Sequence, residues 1–157
     1  MKRLQYWLFV ILACSMVITR ASGAAVCSVS STGTAFGTFD TLSGLDDNIL
    51  GTISVTCTGN IGDPVNYTIA LGPGGGSFVS RIMQAGTPQL NYNLYKDAAH
   101  MSVWGDGSGG TATVSDSYSL AATSNTLQYP VYGSVPGTQS GAVAGSYSDN
   151  ILITLNY

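Results

Sequence analysis

Apolar and polar residues alternate with a period of two along most of the chain. Ile53, Val55 and Cys57 alternate with Thr52, Ser54 and Thr56. Val65, Tyr67, Ile69 and Leu71 do the same against Asn66 and Thr68, as do Leu90, Tyr92 and Leu94 against Asn91 and Asn93. Leu127, Tyr129 and Val131 follow, with Pro130 marking an edge or a bulge. Tyr147, Asp149, Ile151, Ile153, Leu155 and Tyr157 share one face of a strand that runs to the last residue. A further strand is expected around Cys27 and Val29, resuming near Phe36-Gly37-Thr38-Phe39, and Tyr118 and Leu120 fit another short one. One apolar face per strand predicts an all-β antiparallel sandwich.

Turn signals separate these runs: Gly59-Asn60, Gly62-Asp63-Pro64, residues 72–76 and residues 105–110. Residues 133–145, with Pro136 inside, read as a loop. Only residues 96–101 fit a helical turn; no segment after the N-terminus sustains a 3.6 period. There is no internal repeat and no linker, so a single domain is expected.

The N-terminus differs. Lys2 and Arg3 precede thirteen mostly apolar residues, Tyr6 to Ile18, and the small residues Ala21 to Ala25 follow. This predicts a secretory signal peptide over residues 1–24 and a domain over 25–157. The run is too short to cross a bilayer, so no membrane span is expected after cleavage. Cys14 follows Ile11-Leu12-Ala13, but Leu12 is a poor residue for a lipoprotein box, and an ordinary signal-core cysteine is the better reading.

Composition narrows the function. Charged residues make up 8% of the 157, against about a quarter in ordinary domains. All eight acids are aspartate, and beyond the signal only Arg81 and Lys96 are cationic. A basic nucleic-acid binder is excluded, because nothing could neutralise a row of phosphates. Glu is absent, which argues against a helical bundle, and 45% hydrophobic residues argue against disorder. Past the signal two cysteines remain, Cys27 and Cys57. In an exported chain such a pair favours a disulfide, worth roughly 3–4 kcal/mol for a loop of about thirty residues. A metal site is the rival, but it needs further ligands and the chain has one histidine.

Candidate chemistry is thin. Asp97 and His100 lie close in sequence among many serines, yet no Gly-x-Ser-x-Gly element frames a nucleophile. Asp106-Gly107-Ser108-Gly109-Gly110 lacks the oxygen ligands of a calcium loop and reads as a hairpin turn. Residues 72–76 lack the Lys-Ser/Thr and helix of a phosphate loop. Asn66-Tyr67-Thr68 matches a glycosylation sequon, but mid-strand with Tyr67 inward. Trp104 reads as a core residue holding its loop. Phe78 and Met83 are the side chains with which an adhesive loop would make contact.

The strand count is also informative. About six strands are convincing, where an immunoglobulin-like sandwich has about seven. A sandwich missing its last strand exposes an apolar groove and an unpaired edge, which invites a strand from another chain.

Three elements resemble a known family: Phe36-Gly37-Thr38-Phe39-Asp40; Leu94 to Ala99 with Val103-Trp104-Gly105-Asp106-Gly107; and Val131-Tyr132-Gly133 with Gly145-Ser146-Tyr147-Ser148-Asp149 and Ile153 to Tyr157. Together with Cys27 and Cys57 they are similar to the spore coat protein U domain, a family that includes subunits of archaic chaperone–usher pili. The resemblance implies an incomplete immunoglobulin-like β-sandwich with a Cys27–Cys57 bridge. It makes Phe36, Gly37, Asp97, Trp104, Gly105, Asp106, Gly133, Tyr147 and Asp149 motif residues. It implies a periplasmic chaperone that lends a strand to the groove, an usher, and neighbouring subunits that later replace that strand. Ile151, Ile153, Leu155 and Tyr157 are the groove candidates. One feature departs from the pattern: after cleavage near Ala24 only Ala25 and Val26 precede Cys27, too few for a donor segment. The expectation is an exported structural subunit that accepts a strand but gives none, at the distal end of a fibre. A stand-alone coat or surface protein is the alternative, then a carbohydrate-binding module. No enzyme activity and no cofactor are expected.

Overall fold

A computed structural model describes residues 23–139 and 141–157. The run from Tyr6 to Ile18 expected to be a signal core, Cys14 included, lies outside the described residues. Eight strands follow in order: β1 Val26–Ser31, β2 Asp47–Thr58, β3 Pro64–Leu71, β4 Arg81–Gln84, β5 Gln89–Tyr95, β6 Val114–Ser119, β7 Ser124–Val135 and β8 Ile153–Asn156. Every pairing is antiparallel. One sheet has the order β1-β2-β7-β5-β4 and the other β6-β3-β8.

The alternation read from the sequence becomes the core. Ile53, Val55 and Cys57 of β2 are buried, while Thr52, Ser54 and Thr56 are half-buried on the opposite face. They pack with Val65, Tyr67, Ile69 and Leu71 of β3, and with Leu90, Tyr92 and Leu94 of β5. Burying one face of each sheet against the other is what fixes strand register, because a one-residue slip would turn every apolar side chain to solvent. The Cys27–Cys57 disulfide joins directly opposed positions of β1 and β2.

Five expectations change. Eight strands form rather than about six: β4 has only four residues, too few to show alternation, and β6 hides its pattern among serines. β7 continues through residues expected as loop, because Gly133 and Ser134 pair with Leu94 and Asn93 of β5. Residues 36–39 form no strand; they belong to the irregular connection between β1 and β2, with Gly37 at φ +71°. The Tyr147–Tyr157 strand is broken. Ser148 bridges Gln84 at the β4 edge of one sheet, and only from Ile153 does the chain pair with β3 of the other. Met83 is buried and Phe78 half-buried, so neither is a free adhesive side chain.

Pro130 sits inside β7, opposite Thr52. β5 reaches only Tyr132 to Ser134, so at Pro130 the strand has β2 as its neighbour and a side without ladder bonds. A residue with no N–H fits there.

Candidate functional site

A cavity of about 770 Å³ opens between residues 34–41 and residues 142–151. Phe36 and Phe39 line one wall, Tyr147 and Ile151 the other, and Met83, Leu90 and Tyr92 lie at its base. Val29, Phe36, Phe39, Tyr147, Ile151, Ile153 and Leu155 pack on the core yet stay half-buried. Apolar side chains left partly wet on both sides of a cleft mark a binding surface. Met83 comes from β4, an edge strand, and Leu90 and Tyr92 from its neighbour β5. β1 is paired to β2 and β8 to β3, each at the margin of its sheet, and the two come into contact.

The candidate groove residues separate. Ile151 lines the cavity, and Ile153 and Leu155 extend the same apolar row along β8. Tyr157 stands apart at 63% exposed, lining a separate shallow depression with Asn66, Thr68 and Asn156.

The motif residues build the walls and the loops behind them. Phe36 packs edge-on against Tyr92, ring centroids 5.9 Å apart, and against Gly133. A Cβ on Gly133 would stand 2.9 Å from the Phe36 ring and 2.9 Å from Ile49, so glycine is needed for that close approach. Gly37 follows Phe36 in the same wall. The Tyr147 hydroxyl donates to the Val143 carbonyl at 2.8 Å and closes the loop before it. The Asp149 carboxylate accepts from the Tyr92 hydroxyl at 2.7 Å and from Gly75 N–H at 2.9 Å. Burial, aided by Asp149, pushes the Tyr92 phenol well above its ordinary value.

Trp104 is fully buried, its Nε1–H donating to the Ile69 carbonyl at 3.1 Å. Gly105 N–H bonds the Ala112 carbonyl at 2.9 Å. Asp97 accepts backbone N–H groups from Met101 (3.1 Å), Ser102 (2.8 Å) and Ala99 (3.1 Å). These bonds, Met101's first, hold its carboxyl below the ordinary carboxylate value. His100 packs on Tyr95 with ring centroids 4.9 Å apart. The pair that raised the question of catalysis is thus used to close a turn. Asp106 likewise accepts from the Ser108 hydroxyl at 2.6 Å and its N–H at 2.8 Å, which lower its pKa. Among the described residues no group of three or more His, Cys, Asp or Glu could hold a metal ion.

Two features had no clear signal in the sequence. Arg81 is fully buried at the base of the loops behind the cleft, its guanidinium shared among carbonyl oxygens. Its one signal is rarity, since it is one of two cations among the described residues. Tyr67, Tyr129 and Asp116 form a hydroxyl chain between the sheets: Tyr67 and Tyr129 share a hydrogen bond, and Tyr129 donates to Asp116 at 2.8 Å.

Burial raises the phenol pKa of Tyr67, Tyr92, Tyr95 and Tyr129, so the folded state favours their neutral form. Stability from these groups is complete below the ordinary tyrosine value of 10.0 and is lost as pH rises through the higher folded values. The melting temperature is therefore expected to fall as pH is raised above about 10, and Tyr129→Phe to flatten the fall. A melting temperature independent of alkaline pH would contradict this.

The chain has relatives of known architecture. It is similar at 20% identity, TM-score 0.56, to a chain of the CsuC–CsuE chaperone–tip adhesion subunit pre-assembly complex from archaic chaperone-usher Csu pili of Acinetobacter baumannii. That alignment covers 85% of this chain and 40% of the other, so this chain spans less than half of that relative's length. It is similar at 18% identity, TM-score 0.53, to the P pilus rod subunit PapA, over 83% of this chain and 98% of that one. These likenesses carry the fold, an immunoglobulin-like sandwich. No curated protein matches the chain. Residues 11–154 match the Spore Coat Protein U domain, and the chain belongs to that family.

Proposed function

We propose that the protein is an exported structural subunit of an archaic chaperone–usher pilus, and that its cleft accepts a β-strand from another chain. The observation that carries this reading is an apolar cavity in a sandwich whose two sheets each leave an edge strand, β1 and β8, with one side unpaired. An incoming strand would satisfy the free backbone groups of β8 and place alternate side chains against Ile151, Ile153 and Leu155. Before assembly a periplasmic chaperone supplies that strand; afterwards a neighbouring subunit supplies it, delivered through an usher. The chain's own part is structural, so the reading includes no catalytic step.

Position in the fibre follows from processing. Val26 opens β1 and Ala25 is buried, so both belong to the domain. A chain cleaved after Ala24 receives a strand and lends none, which puts it at the distal end. Intact mass of the exported protein tests the cleavage site, and a mature N-terminus well before Ala25 would remove the distal assignment.

The reading as a whole is tested by periplasmic expression with and without an archaic-type chaperone, followed by size-exclusion chromatography. Recovery as a one-to-one complex is expected. A stable species that elutes alone with a cooperative melt would overturn it in favour of a self-sufficient coat protein. Leu155→Asp places a charge in the row facing the incoming strand, and a charge buried without a partner is costly. Its complex with the chaperone is expected to be at least about tenfold weaker, close to complete loss of co-elution. Undiminished capture would place the acceptor surface elsewhere.

A further inference from the structure

We infer that Asp149 is a positioning residue for the cleft, whose carboxylate ties the wall at residues 147–151 to the sheet behind it. The inference rests on the strand-acceptor reading above.

Alternation alone would let residues 147–157 run as one strand along β3. The ladder with β3 ends instead at Leu71–Ile153, extended by one bond from Gly72 N–H to the Leu152 carbonyl at 2.8 Å. Next on that side comes Pro73, which has no N–H to offer. At this point a side chain takes over from the backbone. Asp149 Oδ1 accepts from Gly75 N–H at 2.9 Å and from its neighbour Asn150 N–H at 2.7 Å; Oδ2 accepts from the Tyr92 hydroxyl at 2.7 Å. One carboxylate therefore joins the 72–76 loop, β5 and the cleft wall. Two backbone bonds hold the adjacent residue: Gln84 N–H to Ser148 carbonyl at 2.9 Å, and Ser148 N–H to Gln84 carbonyl at 3.0 Å.

The surroundings are shaped for this contact. A Cβ on Gly74 would stand 2.1 Å from Asp149 Oδ2, and Gly74 has φ +63°. Glycine is the residue that tolerates both the conformation and the approach. Tyr92 forms part of the cavity base, and Tyr147, Ser148, Asp149 and Ile151 part of its wall. The bond between Tyr92 and Asp149 thus sets the spacing between base and wall.

The test measures the lifetime of the complex between the mature domain and an archaic-type chaperone, for wild type, Asp149→Ala, Asp149→Asn and Tyr92→Phe. Asparagine keeps an acceptor for Gly75 N–H, and phenylalanine removes only the hydroxyl contact. The lifetime is expected to fall at least about tenfold in Asp149→Ala, to recover to within about threefold of wild type in Asp149→Asn, and to fall about threefold in Tyr92→Phe. Hydrogen exchange is expected to quicken at residues 147–152 while the amides of β2 and β7 keep their protection. If wild type is captured and Asp149→Ala has the same lifetime, the positioning role is overturned and the acceptor reading survives. If Asp149→Ala does not fold, Tyr92→Phe decides, and a wild-type lifetime there overturns the role. If wild type itself is not captured, both readings fall together.

Discussion

Arg81→Ala is expected to destabilise the domain by about 3–5 kcal/mol, a large share of a typical domain's stability. Arg81 opens β4 and is 0% exposed. Its Nη1 donates to Asn93 Oδ1 at 2.5 Å, its Nη2 to the carbonyls of Trp104 at 2.7 Å and Gly72 at 2.9 Å, and its Nε to Gly72 at 3.1 Å. The guanidinium lies 5.7 Å from the Phe78 ring centroid. Burial lowers its pKa, because desolvation disfavours the charged form. These bonds tie to β5 two segments that have little regular structure of their own, the 72–80 loop and the loop that carries Trp104. Asn93 continues the network, donating to the carbonyls of Phe78 at 3.0 Å and Val79 at 3.3 Å. Alanine removes every donor and leaves a void, so carbonyls such as Gly72's lose their partner inside the protein. Arg81→Met fills much of the void but supplies no donor, and is expected to recover less than half of the loss. Chemical denaturation of the three proteins measures both effects. If Arg81→Met proved as stable as wild type, packing alone would account for the site.

Replacing both cysteines by serine is expected to cost about 3–4 kcal/mol and to lower the melting temperature by about 10–15 °C. The bridge closes a separation of 30 residues, and closure of that loop in the unfolded chain sets the magnitude. Its place in the fold adds a consequence. β1 is an edge strand whose ladder runs to β2, and Cys27 is bonded to the residue directly opposite on that strand. Both cysteines are buried, so the bridge fastens β1 at the level of the core. Without it β1 is expected to fray first, and with it the segment leading to Phe36 and Phe39 in the cleft wall. Hydrogen exchange along β1 tests this against uniform loosening. A reductant should lower wild-type melting to the level of the double-serine variant and leave the variant unchanged. Equal melting of oxidised wild type and variant would show that the bridge adds nothing.

The sequence by itself determined the class of fold and much of its core. Ile53, Val55 and Cys57, then Val65 to Leu71, then Leu90 to Leu94 were legible because a strand with one buried face must alternate, and that rule is local. Cys27 and Cys57 were a natural pair, and the family was readable from motif residues around the loops. Trp104 was legible as a core residue. Other features were decided by partners distant in sequence. Tyr147 to Tyr157 alternate throughout, yet the strand breaks, because the Gln84 edge and the Asp149 carboxylate hold its first part to one sheet while β3 holds its last part in the other. Gly133 resembles a loop residue in sequence and lies inside β7, where the Phe36 ring needs the space a side chain would fill. Arg81 looks like a solvent-facing cation until loops from both sides of it turn their carbonyls inward. The period of a strand reports which face is apolar, but not which edge it joins or which polar groups meet around it. Those depend on contacts across the whole chain, and the cleft is made of them.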